Sequence, residues 1–426
     1  MWRVAGADER RPRFRILYIA HYCRPDEAAW ISTEYLLKCL RFTNVVENAV
    51  VLTNDPHAYR AVLHAPEKLR NWMQIIHVAY PIALEARQLG KLLRALLSYL
   101  LVFLVAMRTC KKMRITHIFT QHHNYHLASC IGVLLSRLLS LPCIIKIQDG
   151  IPYIGGRNLV ERILNHYIMK LINRMAFKRA TLILNLSSER AKLLTRIFHI
   201  PRSKMAVFSN MIDSENFSKI DEEFKRRFIK RYALKGKIML FIGVTSGRGL
   251  ERLVKALPKI ASEIGDVKFV IVGHAPDEDE LRRIARSLGV ESALVFVAPV
   301  SHKFIPSLIS MADVCIGPLA VHWFSVADVQ RKVLEYMACG RPTVAAEFSV
   351  TRDLLIDGKT GILIKKPEDH EELSRKIVKV LRDEELKRRL GLNAMAKVKK
   401  LYDCRSPTMI ERLRAILLNT YRKPKG

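Results

Sequence analysis

The chain has 426 residues, half of them apolar, with 19 Gly, 17 Pro and a formal net charge of +31. Its length exceeds one ordinary core and suggests two or three domains, and its composition excludes a disordered or fibrous protein. Residues 1–235 hold 38 Lys+Arg against 17 Asp+Glu, a basic balance that fits nucleic acid, anionic lipid headgroups or phosphorylated substrates, or else a solvated basic face.

The first predicted strand covers residues 15–20 and enters a turn over residues 21–25. Further apolar, β-branched runs at 49–53, 117–120, 143–147 and 182–185 predict buried strands, separated by helical patterns at 28–40, 127–141 and 188–198. Short apolar strands alternating with helices predict a parallel sheet covered on both faces. The pattern restarts after a charged helical segment, 221–232, with strands at 237–243, 268–273, 294–297, 314–317 and 343–346. Helices are expected at 250–264, 277–288, 305–311 and 329–339, and an amphipathic segment, 408–421, closes the chain. The expected fold class is α/β, with two Rossmann-like doubly wound domains at 1–218 and 219–404 and with 405–426 packing back on the first.

Residues 92–107 are apolar except for Arg94 and Ser98, and are flanked by Lys91, Arg108, Lys111, Lys112 and Arg114. About 16 residues fall short of the ~20 that span a bilayer, so this helix either packs on the sheet or lies in a membrane interface. None of the eight cysteines sits in a C-x-x-C pair. Neither a zinc site nor a disulfide framework is therefore indicated, and a reducing cytoplasm fits. The charged residues 1–15 and the short apolar run after them do not make a signal peptide.

In open parallel sheets, ligands bind beyond the carboxyl ends of the strands, where helix N-termini present N–H groups. The strand at 237–243 runs into Gly243-Val-Thr-Ser-Gly-Arg248-Gly249. Glycines there allow close backbone approach, and Arg248 at a helix start can clamp a diphosphate. The next strand ends in Gly273-His274. Further on stand Asp328, Lys332 and Glu335, then Gly340 and Pro342. Lys332 and Glu335 lie three residues apart on one side of a helix. They form either an exposed ion pair or a site in which the carboxylate takes ribose hydroxyls and the lysine faces phosphate.

The run Glu335-Tyr-Met-Ala-Cys-Gly-Arg-Pro-Thr-Val resembles the signature of the group 1 (family 4-like) retaining glycosyltransferases of GT-B fold. Leu240–Gly243 with Arg248-Gly-Leu, Phe269–Gly273, Met311-Ala-Asp-Val, Ile356–Leu363, the opening strand and Asn210–Phe217 agree in order with the same family. The resemblance implies two Rossmann-like domains facing across a cleft that closes on the substrates. It implies a nucleoside-diphosphate sugar on the second domain, and Glu335 on the ribose. Gly243, Arg248 and Gly249 would lie at the diphosphate, Gly273 and His274 around the base. It further implies transfer with retention and no metal or other cofactor.

This chain also departs from the family pattern. The family's earlier glutamate, which touches the transferred sugar, is here Ala327, with Asp328 beside it as the candidate to compensate. The arginine that often follows the first donor strand is Val244, so Arg248 takes the cationic place nearby. The family's His-Asp pair reads Gln148-Asp149, which leaves Asp149 as the matched catalytic candidate and His122, in Gln121-His-His-Asn-Tyr-His126, as the substitute histidine. Those three histidines also admit a metal site or an ordinary loop. The basic first half suits a glycan or lipid-linked acceptor at an anionic membrane, on the cytoplasmic face. Two rival functions are a sugar-nucleotide epimerase of the same fold and a basic nucleic-acid-binding module. The basic runs lack the interleaved aromatics of single-strand binders, which argues against nucleic acid as a partner.

Overall fold

A computed structural model describes residues 12–20, 28–53, 71–78, 87–122, 127–147, 164–320 and 330–421. Val-, Ile- and Leu-rich runs form strands buried on both faces, as parallel sheets require. In the first unit these are β1 (Phe14–Ile19), β2 (Val46–Thr53), β3 (Met73–His77), β4 (His117–His122), β5 (Cys143–Ile147), β6 (Leu182–Asn185) and β7 (Met205–Val207). All pair in parallel in the order β3-β2-β1-β4-β5-β6-β7. β3 and β7 are additions to the predicted set: both are short edge strands with partly exposed residues, so neither reads as a buried run.

The second unit repeats the plan with β8 (Lys237–Ile242), β9 (Val267–Val272), β10 (Leu294–Val297), β11 (Val314–Ile316), β12 (Thr343–Ala346) and β13 (Ile362–Ile364). Their order is β10-β9-β8-β11-β12-β13, again all parallel. The order reverses between β8 and β11, the switch point at which open α/β sheets bind ligands. The core beneath is built by Leu253, Leu257 and Ile260 of the Leu250–Ile264 helix against Leu373, Ile377 and Leu381 of the His370–Arg382 helix.

By packing, the units are Met1–Phe208 with Met409–Gly426, and Ser209–Thr408. Residues 210–217, read from sequence as closing the first half, fall in the second unit. Ile212 bridges to Asp403 and accepts the Cys404 N–H at 2.8 Å, while Asp403 accepts the Ser214 N–H at 3.0 Å. The Pro407–Thr420 helix brings Arg414 onto the first unit, where its Nε and Nη2 donate to the Thr43 carbonyl at 3.0 and 2.7 Å.

The apolar segment around residue 100 is a 26-residue helix, Arg87–Lys112, longer than predicted. Ser98, Val102, Ala106 and Cys110 are buried, and the last three join the first unit's core. Among the described residues, no helix is long and apolar enough to cross a membrane. Burial pushes the thiols of Cys130 and Cys110 up to about 11 and about 12.

Candidate functional site

The turn after β8 is shaped by a close approach of two strand ends. Gly243 has φ 119° and its N–H donates to the Val272 carbonyl at 2.8 Å. Gly273, with φ 139°, lies so near that a Cβ on it would stand 2.4 Å from the Gly243 carbonyl oxygen. Both positions favour glycine because L side chains avoid these φ values, and at Gly273 the backbone contact also leaves no room for a methyl. One residue earlier, the Ile242 N–H faces β11, but β11 pairs with β8 only through Val314 and Cys315. The Tyr336 hydroxyl replaces the missing ladder partner and accepts that N–H at 2.9 Å.

The rest of the turn packs against the loop that follows β11. The Arg248 carbonyl accepts the N–H groups of Leu319 and Ala320 at 2.8 and 3.0 Å, and Gly249 is buried against Ala320 at the start of the Leu250–Ile264 helix. The Arg248 side chain is half-buried, and its Nε has no hydrogen-bond acceptor among the described residues. Burial lowers its affinity for its proton. Thr245 is fully buried, donates its hydroxyl to Asp277, and gives its N–H to the His274 carbonyl at 3.2 Å.

The Arg331–Ala338 helix brings three side chains to this turn. Lys332 Nζ lies 3.8 Å from the centre of the Phe241 ring and would stand 2.9 Å from a Cβ on Gly243. Burial, reinforced by the nearby positive charge of Arg248, drives the Lys332 pKa well below 10.5, with Glu335 opposing the shift. Two cations therefore share one glycine-floored turn, each made more expensive by the other. A bound anion would relieve both.

Glu335 is 5% exposed, which makes an unpaired carboxylate there costly. Its Oε1 accepts from His302 Nε2 at 3.1 Å and from Arg331 Nε at 3.2 Å. A carboxylate only accepts, so the His302 proton sits on Nε2. Burial pushes the Glu335 pKa up, but the His302 hydrogen bond and the charges of Arg331 and Lys332 outweigh it and hold the group below 4.5. Oε2 has no hydrogen-bond partner among the described residues.

Of the residues singled out from sequence, Gly243, Arg248, Gly249, Gly273, Lys332 and Glu335 gather at the carboxyl ends of β8, β9 and β11. His274 is at the same edge with an exposed side chain. Asp328, Ala327 and Asp149 lie outside the described residues, as do residues 123–126 of the histidine cluster. His122, in the first unit, ends β4 as a buried side chain: its Nδ1 is 3.2 Å from Ser129 Oγ and its ring meets Phe177 edge-on at 4.8 Å. The expectation that it substitutes for a catalytic histidine thus meets a ring packed into the core. Among the described residues, no group of three His, Cys, Asp or Glu is placed to hold a metal ion.

Sequence reasoning paired Glu335 with Lys332, whereas the structure pairs it with Arg331 and His302. The i,i+4 spacing of Arg331 and Glu335 was a readable signal. His302 is 33 residues distant and carried none.

Residues 222–397 match the sequence family described as "Glycosyl transferases group 1". The chain is 27% identical over 266 residues to alpha-D-kanosaminyltransferase of Streptomyces kanamyceticus, covering 61% of this chain and 67% of that protein. It is 29% identical over 157 residues to the GDP-mannose-dependent alpha-(1-6)-phosphatidylinositol monomannoside mannosyltransferase of Mycolicibacterium smegmatis, covering 36% of this chain and only 41% of that protein. Its fold is similar to that of Anabaena HepE in complex with UDP, with a TM-score of 0.68 at 18% identity over 95% of this chain and 100% of that one.

Proposed function

Because this chain belongs to the group 1 glycosyltransferases of GT-B fold, we propose that it transfers a sugar from a nucleoside-diphosphate sugar, held by the second unit, to a glycan or lipid-linked acceptor recognised by the first. The observation that carries this reading is the pairing of Arg248 with Lys332 at the Gly243 turn.

The diphosphate takes the place beside Gly243, where a side chain is excluded and Lys332 Nζ and Arg248 converge. Arg248 Nε, which has no acceptor among the described residues, gains a phosphate oxygen. The ribose lies against Glu335, whose Oε2 accepts its hydroxyls while Oε1 stays anchored by His302 and Arg331. As the sugar–oxygen bond breaks, negative charge grows on the departing diphosphate, and two cations already in place stabilise it without reorganising. The base lies toward Gly273 and His274, and the sugar contact is assigned to Asp328 on sequence grounds alone. Asp149, matched to the family's aspartate, serves the acceptor side, and the sugar is transferred with retention. Two similar proteins support the donor class: the HepE structure contains UDP, and the mycobacterial relative is GDP-mannose-dependent.

The test is a thermal-shift panel of UDP-, GDP- and ADP-sugars on the wild type and Glu335→Ala. One nucleotide should raise the wild-type Tm, and the shift should shrink in the variant. A wild type that responds to none would overturn the donor reading, and equal responses would remove Glu335 from the site.

A further inference from the structure

Right-handed crossovers that advance in one direction along a parallel sheet stack their helices on one face. The helices Arg87–Lys112, Ala128–Leu139 and Lys170–Arg179 connect β3 to β4, β4 to β5 and β5 to β6, and the middle one packs against both others. Their outward faces are apolar. On the first helix Leu97, Leu100, Leu101 and Leu104 are exposed, opposite the buried Ser98, Val102 and Ala106. The second exposes Leu134 and Leu138. The third, with the π-helical turn before it, exposes Tyr167, Ile168, Leu171 and Met175. Leu100, Leu138 and Leu171 are each more than half exposed, at 55%, 58% and 57%. Single exposed apolar residues are ordinary, but ten on three adjoining helices make a contiguous surface that a water-soluble face does not need.

Charge indicates what covers it. The last turns of the three helices carry Lys111 and Lys112, Arg137, and Lys178 and Arg179. Between Glu85 and Glu189 the chain holds fifteen Lys and Arg against two acidic residues, Asp149 and Glu161. Protein interfaces are depleted in lysine and balance both signs, whereas an apolar surface fringed by cations alone matches the boundary between acyl chains and anionic headgroups. On the first and third helices the exposed apolar residues precede the basic last turn, although Arg87, Lys91 and Arg94 stand earlier on the first and Lys170 and Arg174 among the apolar residues of the third. The exposed apolar residues therefore lie nearer the carboxyl ends of the strands, the edge at which parallel sheets take their ligands.

We propose that this three-helix face docks on the surface of an anionic phospholipid bilayer, with its leucines at the acyl boundary and its terminal lysines and arginines on the headgroups. The inference deepens the lipid-linked acceptor reading above and rests on it for its purpose. Vesicle binding and nucleotide stabilisation are separate measurements, so either reading can fail alone.

The experiment is flotation of the full chain with vesicles of phosphatidylcholine, with and without phosphatidylglycerol, at low and high salt. The wild type should float with the anionic vesicles at low salt and remain at the bottom with neutral ones. Lys111→Gln/Lys112→Gln should weaken the partition roughly fivefold per removed charge. Leu100→Glu/Leu104→Glu and Leu171→Glu should abolish flotation while keeping the nucleotide-induced thermal shift, which shows that the variants are folded. A wild type that does not float with anionic vesicles at low salt overturns the proposal. So does flotation that survives the leucine changes, or a leucine-dependent dimer in sedimentation with no vesicle binding.

Discussion

His302 Nε2 stands 3.1 Å from Glu335 Oε1, so a residue from the loop after β10 fixes the carboxylate of a helix 33 positions later. The hydrogen bond engages Oε1 and leaves Oε2 for the proposed nucleotide. His302→Ala should weaken nucleotide binding by about tenfold, the worth of one hydrogen bond to a charged group. His302→Gln, which keeps an N–H donor, should recover most of it. Titration calorimetry with the nucleotide identified by the thermal-shift panel decides the matter: equal affinities in all three proteins would mean that His302 does not orient Glu335.

Lys332 links binding to pH. Its pKa is well below 10.5 in the free protein, because of burial and Arg248, and a bound diphosphate must raise it. Between those two values the complex holds one more proton than the free protein. Affinity should therefore fall as pH rises through that window, by up to about tenfold per unit. Calorimetry in buffers of different ionisation enthalpy should show proton uptake in the wild type and none from this position in Lys332→Met.

Tyr336→Phe keeps the packing of a fully buried ring and removes one hydroxyl. The Ile242 N–H then loses its partner beyond the end of β11. Denaturant unfolding should show a loss of about 1–3 kcal/mol, the desolvation cost of an unsatisfied buried amide. A change within error would mean that water or a shifted β11 satisfies it.

Gly273→Ala places a methyl 2.4 Å from the Gly243 carbonyl oxygen, at a φ of 139°. Strain and contact together should cost more than about 2 kcal/mol, read as a lowered unfolding midpoint. Gly289→Ala, also at positive φ but with nothing within 4 Å of the added Cβ, is the control for backbone strain alone and should cost less.

What could be read from sequence follows how local each signal was. The Gly243–Gly249 turn and the Lys332–Glu335 helix are contiguous, and their chemistry is written in adjacent letters. So are the long buried strands β1, β5 and β8. β13 has three residues, and β3 lies at a sheet edge. A short run or a half-exposed one carries too little apolar pattern to stand out. The role of Tyr336 was hidden for a different reason. It depends on β11 stopping short of Ile242, which is a fact about register between strands more than 70 residues apart. The exposed face of the Arg87–Lys112 helix could not be told from its buried face until the sheet was placed, since both carry apolar residues: Leu97, Leu100, Leu101 and Leu104 on one, Val102, Ala106 and Cys110 on the other.

The Pro407–Thr420 helix has a bearing on biosynthesis. Arg414 closes on Thr43, and the Tyr421 ring meets Phe14 edge-on at 5.5 Å. The unit begun by the first strand is therefore completed only by residues near 420, whereas the unit inserted into it, Ser209–Thr408, is one continuous stretch. As the chain emerges from the ribosome, the inserted unit has all its parts first, and the earlier-made sheet waits for its last helix. A chain cut after Phe208 would lack that helix altogether, and the Thr43 carbonyl would lose its guanidinium partner.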